Sequence, residues 1–234
     1  MKLSRLSTLA TLVAIGALAL AGARPAAAQA PTPKERVAAL EASLAKSQAL
    51  LKQYEWIETT VMSLKGEEKS RTQNRCYHGA DGVLQKVPVA APAPADKKKG
   101  LRGKVVANKK EEISEYMKSA VELVKSYVPP DPARLETSKN AGKMSITPAG
   151  SRVRLDFRDY QKPGDVLSIE IDATKNTLLG LTVATWLKDA KDTVTQTVSF
   201  GSLNDGATYP ADITLSAPSQ SIEVKITNSG YRKQ

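Results

Sequence analysis

Apolar and polar residues alternate along several short segments in the second half of the chain. Three of these segments place an apolar residue at every second position: Val153, Leu155 and Phe157; Leu167, Ile169 and Ile171; and Ile222, Val224 and Ile226. Successive side chains of a β-strand point to opposite faces, so each segment has one apolar and one polar face. The pattern predicts an antiparallel sheet with one face in water and the other against a core or a ligand.

Shorter apolar runs and turn residues extend this prediction to about ten strands. The predicted strands are residues 54–65, 67–78, 83–89, 143–147, 152–160, 166–172, 178–187, 193–200, 209–215 and 221–227. Two amphipathic helices are predicted beside them, one beginning at Thr32 and one covering residues 108–128, with Asn108 as its cap. No alternation of strand and helix is present, so the predicted class is α+β rather than a parallel α/β fold.

The first 28 residues have the pattern of a secretory signal. Lys2 and Arg5 precede an apolar run at residues 6–20, and Ala26 and Ala28 provide small residues for cleavage. We therefore expect a signal peptide at residues 1–28, cleaved after Ala28, and a single periplasmic domain at residues 29–234. A membrane anchor is the alternative, but the apolar run is shorter than the roughly 20 residues that span a bilayer.

The charge of the chain limits the class of partner. The net charge is +10, and it falls to +7 when the three basic residues of the signal are removed. A basic exported protein is expected to meet an anionic membrane surface or another envelope protein, and export argues against nucleic acid. The single cysteine, Cys76, excludes an internal disulfide. We expect a monomer.

A basic segment separates the predicted third strand from the second helix. Residues 90–107 begin with a proline- and alanine-rich tract and continue into Lys97, Lys98, Lys99, Arg102 and Lys104. We predict a mobile loop here, and these five residues are candidates for contact with an anionic membrane surface. The alternative is a solvated loop that only aids solubility.

The residues that could support catalysis are few. Cys76 and His78 share one face of a predicted strand, but zinc needs three or four ligands and the chain has no second histidine or cysteine. Two side chains on one strand face do not point toward each other as a nucleophile and its base must. We therefore expect a protein that is not an enzyme and has no metal or cofactor. A hydrolase remains a weaker alternative.

The order of the elements resembles the periplasmic lipoprotein-carrier superfamily, which includes LolA, LolB and the lipid-sensing domain of RseB. The local similarities are residues 167–172 leading through Thr174 to residues 179–181, then 198–200, 205–206 and 209–210, and finally 226–231. The resemblance implies a strongly curved antiparallel sheet, an incomplete β-barrel, whose apolar concave face is covered by two helices and holds acyl chains.

These observations lead to a prediction of non-catalytic binding or carriage of a lipid, a lipoprotein or another hydrophobic ligand. The site is expected in a groove between the apolar face of the sheet and the second helix. Its candidate residues are Trp56, Met117, Ala120, Val121, Val124, Phe157, Ile169, Leu181, Val183 and Trp186. The alternative is an envelope interaction or structural protein whose apolar face is filled by its own core and holds no ligand.

Overall fold

Ten antiparallel strands and three helices make up residues 33–89 and 101–234, the part of the chain that this computed structural model describes. In chain order they are α1 (Pro33–Leu51), β1 (Tyr54–Leu64), β2 (Glu67–His78), β3 (Leu84–Pro88), α2 (Leu101–Lys125), α3 (Pro132–Asn140), β4 (Met144–Ala149), β5 (Arg152–Arg158), β6 (Val166–Asp172), β7 (Thr177–Trp186), β8 (Thr193–Ser202), β9 (Thr208–Ala217) and β10 (Ile222–Lys233). A short 3₁₀ turn, Pro218–Gln220, joins the last two strands.

All ten strands belong to one curved, open sheet. Their order is β3-β2-β1-β10-β9-β8-β7-β6-β5-β4. Consecutive strands pair with each other except β3 and β4, which are the two edge strands, and β1 pairs with β10 from the far end of the chain. The predicted class, α+β with a curved and unclosed antiparallel sheet, is confirmed. The edge strands β3 and β4 do not pair with each other, so the sheet does not close into a barrel. We call the concave face, which lies toward the helices, the inner face.

The strand register gathers the predicted apolar residues onto that inner face. Phe157 pairs with Leu167, and Leu167 pairs with Val183 on the next strand. The neighbouring row is formed in the same way by Leu155, Ile169 and Leu181. Together with residues of α2 they form the main buried cluster: Ala120, Val124, Tyr127, Phe157, Tyr160, Leu167, Ile169, Leu181, Val183, Val194, Val198 and Leu215.

A buried hydrogen-bond network anchors the segment just after α2 to the sheet. The Tyr127 hydroxyl donates to Asp165 Oδ2 at 2.6 Å and lies 2.9 Å from Thr185 Oγ1. The same carboxylate accepts the backbone N–H groups of Gln161, at 3.1 Å, and Lys162, at 3.0 Å. Asp165 is fully buried, and a buried carboxylate is tolerated only when hydrogen bonds replace the lost water. The network therefore fixes where α2 ends.

The two long helices contact opposite ends of the strands. Ser47 of α1 accepts the N–H of Thr208, the first residue of β9, at 3.0 Å. Tyr116 of α2 donates to Asp192, just before β8, at 2.7 Å. Because β8 and β9 are antiparallel, their first residues lie at opposite ends of the sheet. The helices thus leave a stretch of inner face between them.

Two predictions about the segment before the second helix were wrong: the helix start at Asn108, and the loop over residues 101–107. The second helix begins at Leu101 rather than at Asn108, so residues 101–107 are helical; residues 90–100 lie outside the described part of the chain. Lysine and arginine favour helices, and one glycine, Gly103, costs a helix only about 1 kcal/mol.

The short helix α3 was not predicted. It begins at Pro132, and proline suits a first helical turn because its missing N–H would be unpaired there in any case. Here Asp131 Oδ1 caps that turn by accepting the N–H of Ala133 at 2.9 Å. Within the described residues, none of the three helices combines the length and apolar character needed to cross a bilayer.

Replacing Tyr127 by phenylalanine should lower the free energy of unfolding by about 1.5–3 kcal/mol, because a charged acceptor loses a buried donor. Tyr77→Phe is the matched control: Tyr77 is only half-buried, and its loss of a hydroxyl should change stability by less than about 0.5 kcal/mol. Urea denaturation measures both. Equal midpoints for Tyr127→Phe and the wild type would show that the network does not anchor α2.

Candidate functional site

Most of the predicted groove residues come together, but as packed core. Ala120 of α2 and Val183 of β7 are fully buried, and Val124, Phe157, Ile169 and Leu181 are at most 9% exposed. Met117 and Val121 are partly buried against this cluster. Protein cores are packed as densely as organic crystals, so these side chains fill the space between α2 and the sheet. Of these eight residues, only Met117 and Val121 remain accessible to a ligand.

The structure does not bring the two tryptophans into this group. Trp186 lies on the face of β7 opposite Val183, where its Nε1 donates to the Pro163 carbonyl at 3.1 Å. The ammonium of Lys162 lies 3.8 Å from its ring centroid. Trp56 is on the inner face, but on β1 and near the end of the strands that α1 contacts.

Helix cover is uneven along the inner face. The main helix–sheet contacts join α1 to β7 and β9, α2 to β8, and α3 to β5. None of these contacts, within the described residues, involves β1 or β10. Five neighbouring inner-face residues on those two strands stay only half-buried: Thr60, Met62, Leu64, Val224 and Ile226. We call this surface the inner trough.

A line of aromatic rings closes one end of the inner trough. The rings of Tyr209 and Tyr231 lie 4.2 Å apart, and Tyr231 stacks on Trp56 at 5.4 Å with an interplanar angle of 11°. His78 continues the line, 6.0 Å from Trp56. We call these four rings the aromatic row. Trp56 is further fixed by its Nε1, which donates to Asn228 Oδ1 at 3.1 Å.

Two backbone features, each at a glycine, make the aromatic row possible. A bulge in β10 lets Ile57 pair with Ser229 and Glu55 with Arg232, which turns Tyr231 to the inner face. Gly230 takes the left-handed conformation in this bulge, with φ of 65°. Gly201 lies under Tyr209, where an added Cβ would come within 2.8 Å of the ring. Glycines inside strand patterns are the signal that could have indicated this site.

Polar groups flank the aromatic row on the side of β2. Lys86 donates to both oxygens of Glu58, at 2.8 and 2.6 Å. Cys76 lies beneath them with no exposure, and burial, reinforced by the Glu58 charge, raises the pKa of its thiol. A protonated, buried thiol is a poor nucleophile. Nδ1 of His78 is buried without a hydrogen-bond partner among the described residues.

The remaining candidate residues can be placed only in part. Lys97, Lys98 and Lys99 lie outside the described residues, and Arg102 and Lys104 belong to the first turn of α2, where side chains are not described. In the ranges 33–89 and 101–234, no group of three histidine, cysteine or acidic side chains could hold a metal ion.

Comparison with protein-family models and with curated proteins gives no match. Two solved structures are similar to the chain. A LolA superfamily protein from Nitrosomonas europaea has a TM-score of 0.38 and 7% identity, with 83% of this chain and 93% of that chain covered. A DUF1329 family protein from Desulfovibrio piger has a TM-score of 0.37 and 7% identity, with 85% and 92% covered. The first belongs to the superfamily that the order of elements in this sequence resembles. The likeness concerns the fold alone.

The aromatic row should make the protein sensitive to alkaline pH. Burial, together with Tyr209, Cys76 and Glu58, raises the pKa of Tyr231 above its ordinary value. The neutral phenol is therefore favoured in the folded state, so its contribution to stability is complete below about pH 10 and is lost as the pH rises further. Tyr231→Phe, which cannot ionise, should lose stability less steeply above about pH 10. Urea midpoints measured across this range would contradict the assignment if both proteins declined in parallel.

Proposed function

We propose that this protein binds a lipid or another hydrophobic ligand, without catalysis, and that the ligand lies in the inner trough. The observation that carries the proposal is the half-buried apolar surface of β1 and β10, next to the aromatic row and beyond the main helix contacts. Exposed apolar surface that adjoins a core and is bordered by a few polar groups is the usual form of a ligand site.

The length of the trough suits an acyl chain. From Thr60 to Leu64, the apolar part of β1 advances about 13 Å at about 3.3 Å per residue. An acyl chain that fills half of a bilayer core of about 30 Å is about 15 Å long. Each methylene that such a chain removes from water contributes about 0.8 kcal/mol, so a few buried methylenes give useful affinity. Length and apolar character thus both favour a single extended hydrocarbon chain.

The borders of the trough suggest how a ligand is oriented. Trp56 and Tyr231 provide flat apolar surfaces at one end, and the Glu58–Lys86 pair lies beside them as a partner for a polar head group. Met117 and Val121 of α2, which are partly buried against the core, are the accessible members of the predicted groove. The buried candidate residues of the groove form the packed core between α2 and the sheet.

We also propose that the protein acts in the periplasm, since residues 1–28 have the pattern of a signal peptide. A lipid ligand implies that it meets a membrane surface, and the net charge of +7 that remains once the signal with its three basic residues is removed from the +10 of the full chain favours an anionic one. Arg102 and Lys104, with the three lysines before them, remain the candidates for that contact.

An envelope interaction protein is the second candidate, and the edge strand β3 favours it. Val83, Leu84, Val87 and Val89 in and beside this strand are 41–55% exposed, although they are large and apolar. An exposed apolar edge strand is a surface to which another chain can pair. This function would need no ligand in the inner trough.

Ile226→Trp tests the ligand site, because it places a bulky ring in the trough. Thr227→Trp is the control: it is the next residue of β10 and is exposed on the outer face. We expect the wild type and Thr227→Trp to bind a fluorescent fatty acid with similar affinity, and Ile226→Trp to bind at least about tenfold more weakly, a difference of about 1.4 kcal/mol.

The comparison requires that both variants unfold at midpoints close to that of the wild type, measured by thermal melting. Equal binding by the two folded variants would exclude the inner trough as the site. A wild type that binds no fatty acid would favour the interaction protein.

A further inference from the structure

The bulge in β10 also opens a small pocket on the outer face of the sheet. The pocket has a volume of about 190 Å³ and is lined by Glu55, Trp56, Ile57, Arg75, Gly230 and Arg232. Extra backbone on β10 opposes Trp56, and the residue over the pocket is Gly230, which has no side chain. A Cβ at that position would lie 3.9 Å from Ile57 Cγ1. The absence of this Cβ leaves the apolar side chain of Ile57 uncovered.

Two arginines meet one carboxylate at the wall of this pocket. Arg75 Nη1 lies 3.5 Å from Glu55 Oε2, and Arg232 Nε donates to Glu55 Oε1. Glu55 is largely buried, with 16% of its side chain exposed, whereas Arg75 and Arg232 are 47% and 71% exposed. The guanidinium of Arg75 lies over the ring of Tyr77, with its Cζ 5.1 Å from the ring centroid. The carboxylate therefore positions two guanidinium groups whose outer edges face water.

The charges in this group do not balance. Two guanidinium groups and one carboxylate leave a net charge of +1. Each guanidinium has five N–H donors, and one carboxylate accepts about four hydrogen bonds in all. Most donors therefore remain available to a second anion, and arginine binds carboxylates and phosphates through paired, parallel hydrogen bonds.

We propose that the outer-face pocket binds a small organic monoanion, a carboxylate or a phosphodiester that carries a short apolar group. The single excess charge selects a monoanion, and Ile57 provides the apolar floor. The volume of about 190 Å³ equals that of about six waters at about 30 Å³ each, which is enough for the charged group and a few carbons. This site lies on the face of β1 opposite the inner trough and does not depend on it.

Chemical-shift titration of the ¹⁵N-labelled protein tests the proposal. The probes are sodium butyrate, a carboxylate, and sodium dimethyl phosphate, a phosphodiester, with sodium chloride at equal ionic strength as the reference. We expect saturable shifts of the Gly230 amide and of the Arg75 and Arg232 Nε–H signals with at least one probe.

Substitution of the arginines makes the test specific. Arg75→Gln and Arg232→Gln should each weaken binding at least about tenfold. Arg154→Gln is the matched control, since Arg154 is an exposed arginine paired with Asp156 at 2.7 Å on a distant strand, and it should leave binding unchanged. Shifts that sodium chloride reproduces, or that persist in both pocket variants, would overturn the proposal.

A second arm distinguishes a free solute from a lipid head group. Vesicles of phosphatidylglycerol carry the phosphodiester on a membrane surface. If the head group is the source, the vesicles should bind the wild type, lose binding in Arg75→Gln, and be displaced by dimethyl phosphate. If vesicles bind all variants equally while butyrate or dimethyl phosphate still requires both arginines, the ligand is a free solute. Fatty-acid binding in the inner trough should be unchanged in the arginine variants.

Discussion

The apolar inner face of a ten-stranded sheet must be kept from water, and the rest of the structure follows from how this is done. Three helices cover the face mainly along β5 and β7–β9. Hydrogen bonds keep α2 on this face. The buried carboxylate of Asp165 accepts them from Tyr127, just after α2, and from two backbone N–H groups. A buried carboxylate needs such hydrogen-bond partners, so the network fixes the position of α2. In the part of the chain that the structure describes, the main helix contacts reach β5 and β7–β9 but not β10 and β1. The inner trough is the part of the apolar face that remains.

One irregularity of β10 shapes both sides of the sheet next to this trough. On the inner face, the bulge turns Tyr231 onto Trp56 and completes the aromatic row. On the outer face, it leaves Gly230 over Ile57 and opens the arginine-lined pocket. A bulge adds one residue to one strand, so it changes which face later side chains occupy. The aromatic row and the proposed anion pocket are therefore two consequences of the same backbone feature.

The alternation of apolar residues was sufficient to predict an antiparallel sheet and the apolar face that holds Phe157 and Leu155, because period two is a local property of the chain. The open, curved form of the sheet was implied by the family resemblance and not by the alternation. The aromatic row could not be predicted in this way. It requires β1 to pair with β10, close to the other end of the chain, and it requires the bulge at Gly230, which shifts the period by one. The candidate groove residues on α2 and β5–β7, apart from Trp186, pack together in the main buried cluster or against it. Whether a ligand or the protein's own side chains fill the space over the apolar face depends on how closely residues such as Ala120 and Val183 pack. The alternation of apolar residues contains no information on that packing.

Mass spectrometry of lipids extracted from the protein, purified without detergent, tests whether the inner trough holds an acyl chain. We expect an acyl-chain compound in near-stoichiometric amount from the wild type and much less from Ile226→Trp, with Thr227→Trp resembling the wild type. A folded wild-type protein that carries no acyl-chain compound, or one that Ile226→Trp retains in full, would contradict this expectation.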